Sequence, residues 1–238
     1  MATRTRAAPT TAVPRQRRQR AVHTAPSEAS VALVRAAERL FAERGVDAVS
    51  LREVSAAAQH KNSSAAAYHF GNKVGLIDAI LDKHVRDIHG QFEVMLDLVE
   101  SRPDTDLRRL VEVLVLPVVR KLDDADGGRD FISISAQLAV SPSIPLLERP
   151  AASTPSATRL MAAMLPKTSL PPELMLFRML QIPMVLYGSL VNVMRMGDAA
   201  PPRDVFVADL VDALTGLITT HLEPTRIILA RDVDHPTD

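Results

Sequence analysis

Cysteine and tryptophan are both missing from this chain, and aromatic residues make up only 3% of it. Without cysteine there are no disulfides and no thiolate metal ligands, which fits a reducing compartment. No strictly alternating apolar pattern stands out, so nothing argues for a sheet. No apolar run is clean enough for a confident membrane span: the strongest, residues 174–194, is interrupted by Arg178, Gln181, Pro183 and Asn192. The arginine-rich start has no apolar core segment of a secretory signal, which leaves an organellar transit peptide as the lesser alternative. No internal repeat stands out. Neither a Gly-x-Ser-x-Gly elbow nor a phosphate loop accompanies the serines, histidines and aspartates, so a catalytic reading has little support. The seven histidines, at 23, 60, 69, 84, 89, 221 and 235, are too dispersed for a metal site. His84 and His89 lie five apart rather than the four that stack two ligands on one helix face, and read as structural or solvent-facing. The expectation is a soluble, cytoplasmic protein that is not an enzyme and needs no cofactor or metal.

Net charge is also lacking, but only in sum. The chain has 28 basic and 28 acidic residues; 12 of the former and 5 of the latter fall at or before Lys73, which leaves 16 and 23 beyond it. A surface made for polyphosphate needs such a local excess, because each neutralised phosphate releases condensed counterion. Residues 1–26 contain six arginines and no acidic residue. They cannot bury enough apolar surface to fold alone. They read either as a solvated tail or as an arm whose Arg17, Arg18 and Arg20 add phosphate or minor-groove contacts to a neighbouring DNA-binding unit.

What the chain does have is alanine, leucine, valine and methionine at helical spacing, over 238 residues that can bury a real core. The fold class is therefore all-α. A first helix is predicted from about Ser27 to Arg44, with Leu33, Ala37, Leu40 and Phe41 on one face and Gly45 as its stop. Ser50 with Glu53 three residues on forms a capping box that opens a second helix, whose stripe Leu51, Val54 and Ala58 must pack on neighbours. After a polar turn comes a third short helix of small residues. Ala66 and Phe70 face inward there, which turns Ser63, Ser64, Ala67 and Tyr68 outward.

Two short helices about a tight turn are the smallest unit that enters a DNA groove. The outward set is small and polar, so the helix backbone can approach base edges. Asn62, Ser63 and Ser64 are candidate hydrogen-bonding groups, and Ala67 suits a thymine methyl. Tyr68, His69 and Lys73 are candidates for the sugar-phosphate backbone, and Ser50 and Lys61 are further candidate DNA contacts.

Residues 32–81 resemble the N-terminal domain of TetR-family transcriptional regulators. The resemblance rests on Ala36-Ala37-Glu38-Arg39-Leu40-Phe41, Gly45, Ser50-Leu51-Arg52-Glu53-Val54 and Tyr68-His69-Phe70-Gly71-Asn72-Lys73. It covers about a fifth of the chain, and the spaced combination is specific where each piece alone would be weak. Two departures stand out. Gln59 occupies the usual position of a turn glycine, and the turn is one residue longer than the commonest form. Gln59 is accordingly expected either in a left-handed conformation or in a rebuilt turn, with the start of the recognition helix defined to within about one residue.

A fourth helix, from about Asn72 to Glu100, carries an apolar series from Leu76 to Val99 and is long enough, at roughly 40 Å, to link two bodies. Gly90 within it predicts a bend or a close packing contact. Further helices are predicted at about 104–122, 129–140, 156–165, 172–196 and 203–221. Pro117 and Pro183 should kink their helices and open gaps between them. The organisation expected is an arm over 1–26, a helix-turn-helix domain over 27–73, a ligand-binding and dimerisation domain over 74–225, and a tail over 226–238.

Methionines 161, 164, 175, 179, 184, 194 and 196 enrich the C-terminal half in adaptable apolar side chains, for which core filling is the first account and ligand lining the second. The resemblance implies a small-molecule pocket in this domain, and Met161, Met164, Phe177, Met184 and Tyr187 are the candidate lining residues. The last two long helices look too broadly apolar for one partner each. A self-association surface is expected at Tyr187, Val191, Val207, Leu210, Val211, Leu214 and Ile218, and the resemblance implies the same four-helix interface.

The reading is a DNA-binding transcriptional repressor. It would bind double-stranded, palindromic DNA as a homodimer, with recognition helices about 34 to 36 Å apart, and be released by a small apolar or amphipathic effector. The alternative is an all-helical enzyme or lipid carrier whose basic N-terminus serves only solubility or membrane contact.

Overall fold

The computed structural model describes residues 27–102, 104–150, 153–168 and 170–219. The predicted arm with Arg17, Arg18 and Arg20, the tail over 226–238, His23, His221, His235 and the Met175 side chain lie outside the described residues.

Nine α-helices and no strand occur among the described residues. Three are N-terminal: α1 (Glu28–Arg44) and the short α2 (Leu51–Ala57) and α3 (Ala65–Phe70). Then follow α4 (Lys73–Glu100), α5 (Leu107–Val119), α6 (Gly128–Ala139), α7 (Pro155–Met164), α8 (Pro172–Met196) and α9 (Arg203–Thr219).

Local chemistry accounts for most of the boundaries. The Ser27 hydroxyl accepts the Ser30 amide at the start of α1, and Gly45, at φ 94°, ends it. Asn72 Oδ1 accepts the Gly75 amide to open α4, directly after Gly71 at φ 75°. Asp106 and Thr154 cap α5 and α7 in the same way, satisfying first-turn amides that have no partner within the helix. The fifth predicted helix thus starts two to three residues later than expected, because Asp106 is its cap. Beyond α5 the chain tightens into a 3₁₀ turn over Arg120–Asp123.

The first turns of α4 bury Leu76, Ile77 and Ile80, and α1 and α3 pack beside them. The later turns bury Ile88, Phe92 and Leu96, where α5 and α7 pack. One helix therefore belongs to both the N-terminal head and the C-terminal body. It runs on through Gly90, which is exposed, and a Cβ built there would meet nothing within 4 Å. The close packing contact expected at Gly90 is absent, since this residue lies on the open side of α4.

The head is fastened to the body a second time, through α6, which packs along α1. Gln137 of α6 accepts the Val46 amide at 2.8 Å and donates to the Phe41 carbonyl at 3.0 Å, covering the C-terminal end of α1. Deeper in the seam, Glu38 of α1 is only 2% exposed. Its carboxylate accepts from Lys83 Nζ at 2.9 Å and lies 2.8 Å from His84 Nε2. That nitrogen must carry the proton, since an ionised carboxylate only accepts. His84 Nδ1 is 3.7 Å from Asp124, and Lys121 bridges Asp124 and Asp87 at 3.0 and 2.8 Å. Gly127 closes over the cluster at φ 87°, where a Cβ would stand 2.8 Å from a Glu38 oxygen.

A buried carboxylate with two cationic or protonated partners leaves them without a counter-charge when it is removed. Glu38→Ala is expected to lower the unfolding free energy by roughly 3 kcal/mol. Urea denaturation of the full chain measures this; a loss within experimental error would show that the cluster does not hold head to body.

Candidate nucleic-acid interface and body cavity

The turn between α2 and α3 decides where the recognition surface points. Gln59 has φ 58°, the sole positive value at a described residue other than glycine. Of the two alternatives read from the sequence, the left-handed conformation is the one adopted. The reason is local: the Gln59 amide bonds the Ala56 carbonyl and the His60 amide bonds the Ser55 carbonyl, both at 3.0 Å. Together these form the paired cap that ends a helix through one left-handed residue. Asn62 then folds the chain again: its Oδ1 accepts the Ser64 amide at 2.9 Å and its carbonyl accepts the Ala65 amide at 3.1 Å. The third helix therefore begins at Ala65, after Ser64.

Ser55 holds α3 in place, and sequence reading missed it. Its hydroxyl is fully buried, donates to the Leu51 carbonyl at 3.0 Å and accepts the Ala66 amide of α3 at 3.0 Å. The available signal was its phase, since Ser55 shares the inner face of α2 with Leu51, Val54 and Ala58. A hydroxyl on such a face needs a buried partner.

With Ala65 and Ala66 buried, the rest of the surface is open. Lys61, Asn62, Ser63, Ser64, Ala67, Tyr68 and His69 are all exposed, Tyr68 at 84%. Tyr68 and His69 meet edge to face at 5.3 Å. Among the described residues, Arg52 and Lys61 are exposed cations with no ionic partner.

Two candidates are partly engaged within the head. The Ser50 hydroxyl completes the capping box, donating to Glu53 at 2.8 Å and accepting its amide at 3.3 Å. The Ser50 amide and hydroxyl, followed by Arg44 at 2.7 Å, hold the Glu53 carboxyl down to about 2. Lys73 Nζ donates to the Val46 and Asp47 carbonyls at 2.9 and 3.1 Å, tying the start of α4 to the α1–α2 loop. An ammonium has three donors, so one remains. Six of the 12 basic residues counted through Lys73 belong to the arm, so the described head alone is nearly neutral.

In the body, a cavity of about 210 Å³ lies among α4, α5, α6, α7 and α8. Met161, Met164 and Tyr187 line it as expected, with Phe92, Phe131, Met179 and Pro183. Phe177 and Met184 do not. They are 55% and 44% exposed, because α8 aims Met179, Ile182 and Leu186 inward and residues two positions away point almost oppositely. Burial pushes the Tyr187 phenol up to about 12, and its ring meets Phe131 edge-on at 6.0 Å. His89, read as structural or solvent-facing, lines both this cavity and an outer cleft that includes Arg86, Glu93 and Thr154.

The expected self-association surface also needs correction. Leu210, Val211, Leu214 and Ile218 are buried within the single chain, where α9 packs on both α5 and α8. The second stripe of α9 is covered by intramolecular neighbours. Tyr187, Val191 and Val207 are partly buried against the same core. Among the described residues of these two helices, the large apolar side chains left open are Phe177, Leu180, Met184 and Met196 of α8 and Val205 of α9; Val94 and Leu98 of α4 and Val140 are exposed elsewhere.

The model for the family described as "Bacterial regulatory proteins, tetR family" matches residues 33–80. The HTH-type transcriptional repressor Rv3405c of Mycobacterium tuberculosis is 32% identical over 143 residues, which cover 54% of this chain and 74% of that protein. The HTH-type transcriptional regulator Mb3439c of Mycobacterium bovis matches to the same extent. The chain belongs to the TetR family, and it is a DNA-binding transcriptional regulator rather than an enzyme. Among solved structures, a TetR-family regulator from Streptomyces coelicolor A3 is 20% identical, covering 81% of this chain and 97% of its own, with a TM-score of 0.39. The multidrug binding protein EbrR, complexed with imidazole, is 21% identical over 82% of this chain and 90% of its own, with a TM-score of 0.41.

Two substitutions at the turn should move stability in opposite directions. Gln59→Gly relieves the left-handed conformation and raises the unfolding free energy by up to about 1 kcal/mol. Ser55→Ala strands the Ala66 amide and lowers it by about 1–2 kcal/mol. Thermal and urea denaturation report both; an unchanged or stabilised Ser55→Ala would show that the Ser55 hydroxyl does not clamp α3.

Proposed function

We propose that this regulator is a homodimeric cytoplasmic repressor that binds a palindromic operator through α3 and is released when a small apolar or amphipathic effector enters the body cavity. The observation that carries the reading is the α3 surface: a helix of small residues, clamped from behind by the buried Ser55 hydroxyl and open to solvent from Ser63 to His69.

Each part of that surface has a separate task. Asn62, Ser63, Ser64 and Ala67 present small groups to base edges in the major groove. Lys61, Tyr68 and His69 reach the phosphates, joined by the remaining donor of Lys73, the remaining lone pair of Ser50, and Arg17, Arg18 and Arg20 of the arm. A second copy supplies the second half-site, about one helical turn of DNA away. Its contact is the outer face of α8, where Phe177, Leu180 and Met184 repeat at helical spacing and stay exposed in the single chain.

Release follows from a chain of contacts between cavity and head. Phe131 lines the cavity and stacks on His84 at 4.7 Å, and His84 holds Glu38 of α1. An occupant that moves Phe131 changes which head position the seam favours, so binding becomes a population shift. A typical coupling of about 1 to 3 kcal/mol weakens operator binding by about 5- to 150-fold.

Fluorescence anisotropy with a duplex selected from the regulator's own genome tests the DNA reading. Affinity should fall as salt rises, Tyr68→Ala should weaken it roughly tenfold, and Lys61→Ala should reduce the salt slope by about one per protomer. Salt-independent or absent duplex binding refutes it. Sedimentation of Met184→Glu should give a monomer with weakened operator binding; a dimer that survives this charge places the contact elsewhere.

A further inference from the structure

We propose that the body cavity is a receptor for a neutral aromatic molecule about the size of one substituted ring, bearing a single hydroxyl-type group that seats on His89. The inference rests on the effector reading above and specifies the chemistry of that site.

The lining argues for an uncharged occupant. Of its 19 described lining residues, only His89 and Tyr187 bear a nitrogen or oxygen in the side chain, and none of them is an aspartate, glutamate, lysine or arginine. An ion drawn into such a space would lose its hydration and find no counter-charge. Burial holds the His89 imidazole below the ordinary histidine value, against the pull of Glu93, and keeps the Tyr187 phenol protonated. The walls are therefore neutral as well.

Size and wall chemistry favour a ring. A dry cavity of roughly 150 Å³ accommodates benzene, so about 210 Å³ leaves room for a short substituent. Phe92, Phe131 and Tyr187 offer ring faces and edges, and Met161, Met164 and Met179 supply thioethers that adapt to an aromatic surface.

The position of His89 orients the guest. Its ring lines both the apolar interior and the outer cleft, between α4 and the start of α7. Nε2 is 3.4 Å from Thr154 Oγ1, the long limit of a hydrogen bond, and is the imidazole contact most easily given up to a better partner. A hydroxyl at the ring's outer end would take that place while the substituent points toward the methionines. Elsewhere in the described lining the Tyr187 phenol is the other side chain that could take the hydroxyl, and the His89→Leu variant below distinguishes the two seats.

Calorimetric titration of the full-length chain with three probes tests this: para-propylphenol, propylbenzene and para-propylbenzoate. One para-propylphenol should bind per chain, about tenfold tighter than propylbenzene, with the benzoate weaker than the phenol. His89→Leu should still bind propylbenzene, which reports an intact cavity, and should lose the preference for the phenol. Equal affinity for phenol and propylbenzene in the natural chain overturns the role of His89, and benzoate binding as tight as phenol overturns the neutral class. Failure of all three probes at millimolar concentration overturns the receptor itself. Operator affinity measured alongside separates the two ideas: phenol binding without DNA release overturns effector control and leaves the receptor standing, whereas lost probe binding with intact operator binding overturns the receptor and leaves the DNA-binding reading standing.

Discussion

Glu38 is an acidic side chain in the middle of α1, placed where water cannot reach it, and the relation between the two halves of the protein depends on how it is satisfied. Lys83 and His84 come from α4, the helix common to both halves, and Gly127 leaves just enough room at the start of α6. A buried carboxylate of this kind is costly unless every partner is in place. The seam therefore favours one mutual arrangement of α1, α4 and α6 over looser ones. A purely apolar seam would slide more easily, because hydrophobic contact is non-directional.

That seam is also the route by which, in the proposed function, an occupant of the cavity would act on the recognition surface without touching it. Phe131 stands between them, facing the cavity on one side and stacked on His84 on the other. Gln137, on the same helix, holds the end of α1 and the start of the loop to α2. A displacement of α6 thus reaches the head at two places, one ionic and one through neutral hydrogen bonds. Ser55 then carries the position of α2 to α3. The polar contacts along this route are few and directional, and the apolar ones are well packed, which suits a change between two discrete arrangements more than gradual deformation.

Much of this was legible in the residues. Gly45, the Ser50–Glu53 capping box, Asn72 and the apolar periodicities mark helix ends and faces whose causes lie within a few residues. Gln59 was half legible: a residue in a glycine position signals a left-handed turn, while the bonds from Gln59 and His60 back into α2 decide that it is adopted. The candidate lining was legible where side-chain character was enough, as at Met161, Met164 and Tyr187. It failed at Phe177 and Met184, and in the assignment of Leu210, Val211, Leu214 and Ile218 to a partner subunit. In both cases the apolar stripe was real and its destination was wrong. A helix with two apolar stripes does not say which one its own neighbours will cover.

Taken alone, the amino-acid order determined the all-helical class, the position of nearly every helix, and the small, polar surface of α3, because capping, turn geometry and helical period act over a handful of residues. Only the tertiary arrangement decided that Ser55 and Glu38 would become fasteners, that His89 would line a cavity, and which face of α8 stays open. Such tertiary contacts join residues far apart in the chain, as Phe41 is joined to Gln137 across 96 positions. Interactions between such distant segments leave no period, cap or spacing from which they could have been read.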